Sequence, residues 1–162
     1  MVDALIGLGG NLGDARKSID AAVGLFCADT AVRLVAQSAD YRTPPWGVID
    51  QPAFINRCLV VETVLRPQDL LKRALAVERQ LGRDRTNERR WGPRPIDIDL
   101  LSYDDVVVDE PGLRLPHPEL LRRAFVLVPL AEIAADRIVA GTRIGDALAA
   151  LDTAGIERLM PG

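Results

Sequence analysis

Along most of the chain the spacing of apolar residues switches between strand-like and helix-like, and the order of the switches leaves few folds open. Residues 4–9 (ALIGLG) are a short apolar run ending in glycine, as in a buried strand. Residues 14–26 carry Ile19, Val23 and Phe26 on one helical stripe. Residues 32–38 alternate. Residues 54–64 alternate over a longer stretch, with Phe54, Asn56, Cys58 and Val60 on one face and Ile55, Arg57, Leu59 and Val61 on the other. Pro67 suits a first helical position, Leu70, Leu71, Ala74, Leu75 and Leu81 continue that helix, and Gly82 closes it. Residues 96–103 return to a strand pattern. The order β-α-β-β-α-β predicts an α+β, ferredoxin-like fold, an antiparallel sheet with both main helices on one face.

The remainder reads as connections and additions. Residues 41–51 (YRTPPWGVIDQ), with Pro44, Pro45 and Gly47, predict a loop. Residues 83–95 predict a second, polar loop. Asp104 and Asp105 predict a turn before a strand at 106–108. PHPELL is followed by a helical AFVLVPLAEIAA, in which Pro129 predicts a kink or restart. A short helix is expected at 145–151, so the core carries C-terminal helical and short-strand additions. No repeat or long linker divides the sequence, and 162 residues suit a single domain, 1–162.

Composition excludes some classes. A net charge of −3 argues against a general nucleic-acid binder, which is usually basic. No apolar run approaches the roughly 20 residues of a membrane helix. MVDALIGLGG lacks the basic start and long apolar core of a signal peptide. A soluble, cytoplasmic monomer is expected, with no nucleic-acid or membrane partner. Cys27 and Cys58 sit in apolar contexts without metal-ligand spacing and predict buried thiols rather than a disulfide.

The chemistry concentrates in RWGPRPIDIDLL, residues 90–101. In a strand, positions i and i+2 share a face, so Asp97 and Asp99 project side by side while Ile96, Ile98 and Leu100 project the other way. Two carboxylates roughly 6–7 Å apart along a strand suit hard cations, and Mg²⁺ is typically held by one or two carboxylates plus substrate phosphates. The loop before them holds Arg83, Arg85, Arg89, Arg90 and Arg94 against Asp84 and Glu88 alone. Arginine forks match phosphate oxygens, and long loops of this kind are often lids. Surface salt bridging is the plainer explanation, but beside an Asp-x-Asp strand the pattern reads as a Mg-nucleotide site for phosphoryl transfer.

Other features are weighed against this. GLGGNLGD mimics a loose dinucleotide fingerprint, but a hairpin-like sequel replaces the required parallel strand, and Asp14 would repel a pyrophosphate. Its glycines serve either a tight turn capped by Asn11 or Asp14, or the close approach of a flat ligand. No G-x-x-x-x-G-K-[ST] is present. Aromatics are few. Phe26 fits the helix stripe, Phe54 and Phe125 begin elements after loops, and Trp46 and Trp91 sit in Pro/Gly loops. The single histidine, His117, lies between two prolines.

Taken together, the chain resembles the 6-hydroxymethyl-7,8-dihydropterin pyrophosphokinases of folate biosynthesis. RWGPRPIDIDLL is similar to that family's G-P-R-x-x-D-[hydrophobic]-D signature, and YRTPPWG, DQPAFIN and LPHPEL followed by Phe125 match further family segments in order. The resemblance implies that ATP and the hydroxymethyl pterin give AMP and the pterin pyrophosphate, with two Mg²⁺ ions accompanying ATP. It implies Asp97 and Asp99 as metal ligands and catalytic residues together with Arg83 and Arg94. It places Glu78, Arg85, Trp91, Arg94, Ile98, His117 and Arg123 at ATP. It places Gly9, Thr43, Pro44, Trp46, Asn56, Phe54 and Phe125 at the pterin, with Phe54 and Phe125 sandwiching the ring. The chain departs from the pattern at Phe54, where a tyrosine is common, and at Leu75, Gly112 and Pro118. Arg114 stands two residues beyond the position of a triphosphate-reaching arginine.

Two rival readings make different predictions. A ferredoxin-like RNA-binding or regulatory module needs exposed aromatics on a basic sheet face, or binds ATP without metal. A metal-dependent phosphohydrolase on the same carboxylates would cleave ATP without any pterin.

Overall fold

The computed structural model describes residues 1–45, 50–84, 86 and 92–162. Its centre is β1 (Val2–Gly10), paired antiparallel along its whole length with β4 (Phe54–Thr63), from Val2 opposite Thr63 to Gly10 opposite Ile55. The other edge of β1 pairs antiparallel with β5 (Asp97–Tyr103). Beyond β4 the next position is shared by two strands. β2 (Val32–Gln37) lies along its C-terminal half and β3 (Tyr41–Thr43) along its N-terminal half. Where β2 gives way to β3, the Ser38 hydroxyl accepts the Cys58 N–H at 3.0 Å, which keeps the break satisfied. β10 (Glu157–Arg158) completes this edge beside β3.

The helices α1 (Ala15–Phe26) and α2 (Pro67–Gln80) cover one face. Ile6 and Leu8 of β1, Leu59 and Val61 of β4, and Ile98 and Leu100 of β5 meet Ile19, Phe26, Leu70 and Ala74 there. Phe26 is fully buried, and such a side chain contributes about 2–3 kcal/mol through removal of apolar surface from water. Asp14 caps α1, its carboxylate accepting the Lys17 N–H at 3.2 Å. The expected ferredoxin-like topology is present. Because β4 lies between β1 and β2, the glycine-ended β1 has no parallel neighbour, and the dinucleotide arrangement is absent.

The opposite face is covered by α3 (Ala124–Ala134) and α4 (Ile144–Ala149). Leu5, Cys58, Val60 and Leu101 of the sheet pack there with Leu127 and Leu130. Both cysteines are free thiols, Cys58 buried and Cys27 half-buried. No helix among the described residues is long and apolar enough to cross a membrane.

The sequence-based expectations need three corrections. Residues 41–43, expected in a loop, form β3, because β4 extends far enough to pair with them. The strand expected at 106–108 begins only at Val108: β6 (Val108–Glu110) and β7 (Leu113–Leu115) form a hairpin. The tight turn at Pro111 and Gly112, with Gly112 at φ 81°, sets that register and leaves Val107 79% exposed. Pro129 does not interrupt α3, which runs unbroken from Ala124 to Ala134. A proline removes only one helical rung, and burial of Val126, Leu127 and Leu130 on the sheet compensates. A last hairpin of β8 (Ile138–Val139) and β9 (Thr142–Arg143) precedes α4, one residue earlier than expected.

Candidate functional site

Strand alternation aims Asp97 and Asp99 at the α3 face, while Ile96, Ile98 and Leu100 are buried under α1 and α2. The neighbouring strand leaves room above them. Gly9 lies opposite Asp97 and Gly7 opposite Asp99 on one side of β1, and opposite Asn56 and Cys58 on the other. Partners across a ladder share a face, so two rows, Asn56–Gly9–Asp97 and Cys58–Gly7–Asp99, floor a trough without side chains at its centre. A Cβ on Gly9 would lie 2.6 Å from Asn56 Oδ1, so the trough needs glycine there.

This trough is the floor of a cleft. Thr43, Pro44 and Phe54 line one wall, Arg123, Phe125 and Val126 the other, and Arg94 stands by the aspartates. Asn56 donates from Nδ2 to the Thr43 hydroxyl at 2.7 Å, which fixes both polar groups beside the phenylalanines. The Arg123 guanidinium carbon lies 5.6 Å from the Phe125 ring centroid.

The aspartates are held unequally. The Arg83 guanidinium donates to Asp97 Oδ1 at 2.7 Å and to the Ile96 carbonyl at 3.1 Å. Arg94 Nη1 lies 3.8 Å from Asp97 Oδ2. Burial, with the adjacent Asp97 charge second, pushes the Asp99 carboxyl up to about 8. Burial also pushes the His117 imidazole below its usual value, aided by Arg123, so it is neutral at pH 7. Its Nδ1 accepts the Glu119 N–H at 3.1 Å, which leaves the proton on Nε2.

The expected pterin residues within the described chain, Gly9, Thr43, Pro44, Phe54, Asn56 and Phe125, all line this one cleft, as do Arg94, Asp97, Asp99 and Arg123. Trp46, Arg85 and Trp91 lie outside the described residues. Four of the expected residues have side chains away from the cleft lining. Ile98, expected at ATP, turns its side chain into the core because it alternates with the aspartates. Glu78 is 1% exposed on the buried stripe of α2, accepts the Ile98 N–H at 2.8 Å and sits 3.2 Å from Arg83. Arg83 is itself buried between Glu78 and Asp97 and does not line the cleft. Glu78 and Arg83 therefore brace β5 from behind. His117 sits outside the cleft lining, its N–H bonded to the Leu101 carbonyl at 2.8 Å.

The sequence reading missed a further polar group, Asn11. Its backbone N–H donates to the Arg94 carbonyl and its Oδ1 accepts the Arg94 N–H, both at 3.0 Å. Its Nδ2 donates to Gln51 Oε1 and to the Pro52 carbonyl, both at 2.9 Å. One buried side chain thus ties the ends of both loops that flank the cleft. The signal was an asparagine directly after two glycines: a Cβ at Gly10 would lie 2.4 Å from the Pro95 carbonyl oxygen, which marks a close chain crossing.

Comparison with known proteins agrees with this geometry. The chain is 50% identical over 159 residues to a 2-amino-4-hydroxy-6-hydroxymethyldihydropteridine pyrophosphokinase of Methylorubrum extorquens, covering 98% of this chain and 99% of the relative. It is 43% identical over 158 residues to the protein of that name from Pseudomonas aeruginosa, covering 97% and 96%. Among solved structures, an HPPK-DHPS in complex with substrates matches with a TM-score of 0.75 at 12% identity, over 97% of this chain and 46% of that one. A Plasmodium falciparum HPPK-DHPS matches with a TM-score of 0.68 at 13% identity, over 92% of this chain and 43% of that one. The chain thus spans about half the length of these solved chains, and the likeness to them is one of fold. Residues 5–135 match the model of the family described as 7,8-dihydro-6-hydroxymethylpterin-pyrophosphokinase, and with the two close relatives this establishes that the chain belongs to that family.

Proposed function

We infer that the chain catalyses transfer of the pyrophosphoryl group of ATP to the hydroxyl of 6-hydroxymethyl-7,8-dihydropterin, giving AMP and the pterin pyrophosphate, a step of folate biosynthesis. The observation that carries this reading beyond family membership is the trough itself. It puts a paired carboxylate at one end of a cleft whose walls are two phenylalanines. A flat heterocycle fits between Phe54 and Phe125 and over Gly9, where aromatic stacking favours a planar ring. Asn56 and Thr43 offer polar groups to the ring edge, and Pro44 closes that side.

Asp97 and Asp99 fit a hard divalent cation. Both are carboxylates on one strand face, and Asp99 retains a proton to about pH 8 because an uncompensated charge there is costly. Mg²⁺ is typically held by one or two carboxylates and completes its shell with phosphate oxygens and water. Mg²⁺ bound there, as two ions in this reading, would neutralise phosphate charge and orient the ATP chain for in-line attack. The residues of the chain supply the rest. Arg83 and Glu78 hold Asp97 and the Ile98 backbone in place. Arg94, anchored through Asn11, and Arg123 present guanidinium charge to the phosphates, where charge develops in the transition state. Neutral His117 offers an Nε2 proton on the nucleotide side. All 162 residues act as one unit in this reading.

The rival readings fit the cleft less well. Nucleic-acid modules of this topology read bases on an open sheet face, whereas α3 and α4 cover this one. ATP labelled in its β-phosphate tests the assignment. The label is expected in the pterin product with unlabelled AMP; labelled ADP, or labelled pyrophosphate released without pterin, overturns it.

A further inference from the structure

Away from the aspartates, one carboxylate joins three elements, α3, β3 and β10. Glu132 lies on α3, seven residues after Phe125. That is two helical turns, so both side chains leave the same face, about 10 Å apart along the axis. Tyr41 lies on β3, two residues before Thr43, so these two also share a face. The Tyr41 hydroxyl donates to Glu132 Oε1 at 2.6 Å. The Ala39 N–H donates to both Glu132 oxygens, at 3.3 and 3.1 Å. Arg158 of β10 approaches Glu132 Oε1 at 3.5 Å. Tyr41 is 7% exposed, and burial, with Glu132 second, pushes its hydroxyl up to about 12, so it stays a donor at every physiological pH.

α3 and β3 are therefore two rails joined at one end by Glu132 and Tyr41. At the other end the same faces of the same rails present Phe125 and Thr43 to opposite walls of the cleft. β3 is only three residues long. Its free edge is held by β10, through pairing and the Arg42–Glu157 ion pair at 3.3 Å, and Gly155 packs against Pro44. Nothing in the proposed chemistry uses Glu132 or Tyr41.

We propose that Glu132 is a positioning residue for pterin specificity, setting through Tyr41, Ala39 and Arg158 the gap between the Phe125 wall and the Thr43–Pro44 wall. The inference rests on the pterin reading of the cleft. Widening the gap weakens ring stacking, which depends on contact distance, and leaves the aspartates on the far side of β1 undisturbed.

The test is equilibrium binding of 6-hydroxymethylpterin and of Mg-ATP, with steady-state kinetics, on full-length wild type, Glu132→Ala, Glu132→Gln and Tyr41→Phe. Glu132→Ala is expected to raise the pterin Kd and KM about 5- to 20-fold, with ATP affinity and kcat within about 2-fold. Glu132→Gln, which keeps an acceptor for the Tyr41 hydroxyl, should recover most of the pterin affinity, and Tyr41→Phe should lose about 3- to 10-fold. A folded Glu132→Ala protein with wild-type pterin affinity, or an equal loss of pterin and ATP, overturns the proposal. If Glu132→Ala does not fold, Tyr41→Phe decides by the same criteria. Failure of wild type to bind the pterin would instead refute the reading of the cleft.

Discussion

In metal-free protein, Asp99→Asn should stabilise the fold, and the gain should depend on pH. Asp99 has its carboxyl pushed from the ordinary 3.8 to about 8 by burial and by the charge of Asp97. Below pH 3.8 both folded and unfolded chains hold the proton, and the group is neutral to stability. Between 3.8 and about 8 the unfolded chain releases the proton and the folded chain does not, so stability falls with each unit of pH. Above 8 the loss is complete. At 1.36 kcal/mol per unit the full shift corresponds to about 6 kcal/mol, a ceiling. The carboxylate opens onto the cleft, where water and a shift of Asp97 relieve the charge, and about 1–3 kcal/mol is the expected gain. Asparagine has the same shape and no charge to bury. For a domain of this size the gain is a rise in Tm of roughly 3–10 °C. The assay is urea and thermal unfolding of wild type and variant in EDTA at intervals from pH 4 to pH 9. The difference should grow from near zero at pH 4 to a plateau above pH 8. A variant no more stable than wild type at pH 8.5, or one equally stabilised at both ends, refutes the argument that the pair is strained without a cation.

Three further outcomes are expected. Burial alone would raise the Asp40 carboxyl, but the hydrogen bonds and charges of Arg57, at 2.7 and 2.9 Å, and Arg16, at 3.0 Å, hold it below the ordinary range. That stability is present above pH 4 and is lost as pH falls through the folded value. Asp40→Asn should cost about 3–5 kcal/mol at pH 7 by urea unfolding, and much less in acid. Phe125→Ala should weaken pterin binding by about 1–3 kcal/mol in calorimetry and leave ATP affinity within 2-fold; equal loss of both would mark a purely structural ring. Asn11→Ala should lower kcat about tenfold or more with native-like stability, since one side chain ties both flanking loops; an unchanged kcat would show that the tie is dispensable.

What was legible in the sequence was what repeats with the period of a strand or a helix. The alternation of residues 54–64 and of IDID fixed which side chains faced which layer, and with it the pairing of Asp97 and Asp99. The same rule already required Ile98 to face away from them. The burial of Glu78 was legible too: it sits on the stripe of Leu70, Ala74 and Val77, where a carboxylate needs a buried partner. β3 was not legible, because three residues carry no period and its strand character comes from β4. Nor was the start of β6, which depends on the turn at Gly112. The ties of Asn11 to Arg94 and Pro52, and of Glu132 to Tyr41, join residues far apart in sequence. They become visible only once the sheet and α3 bring them together.

Whether the aspartate pair acts as one unit is measured most directly by the rate of AMP formation at saturating Mg²⁺, ATP and pterin by Asp97→Ala, Asp99→Ala and the double variant. Each single change should slow turnover about 10²-fold or more, and the double variant should be little slower than either, because groups that hold one site together do not contribute additively. Near-normal turnover in either single variant, or losses that multiply in the double variant, would contradict it.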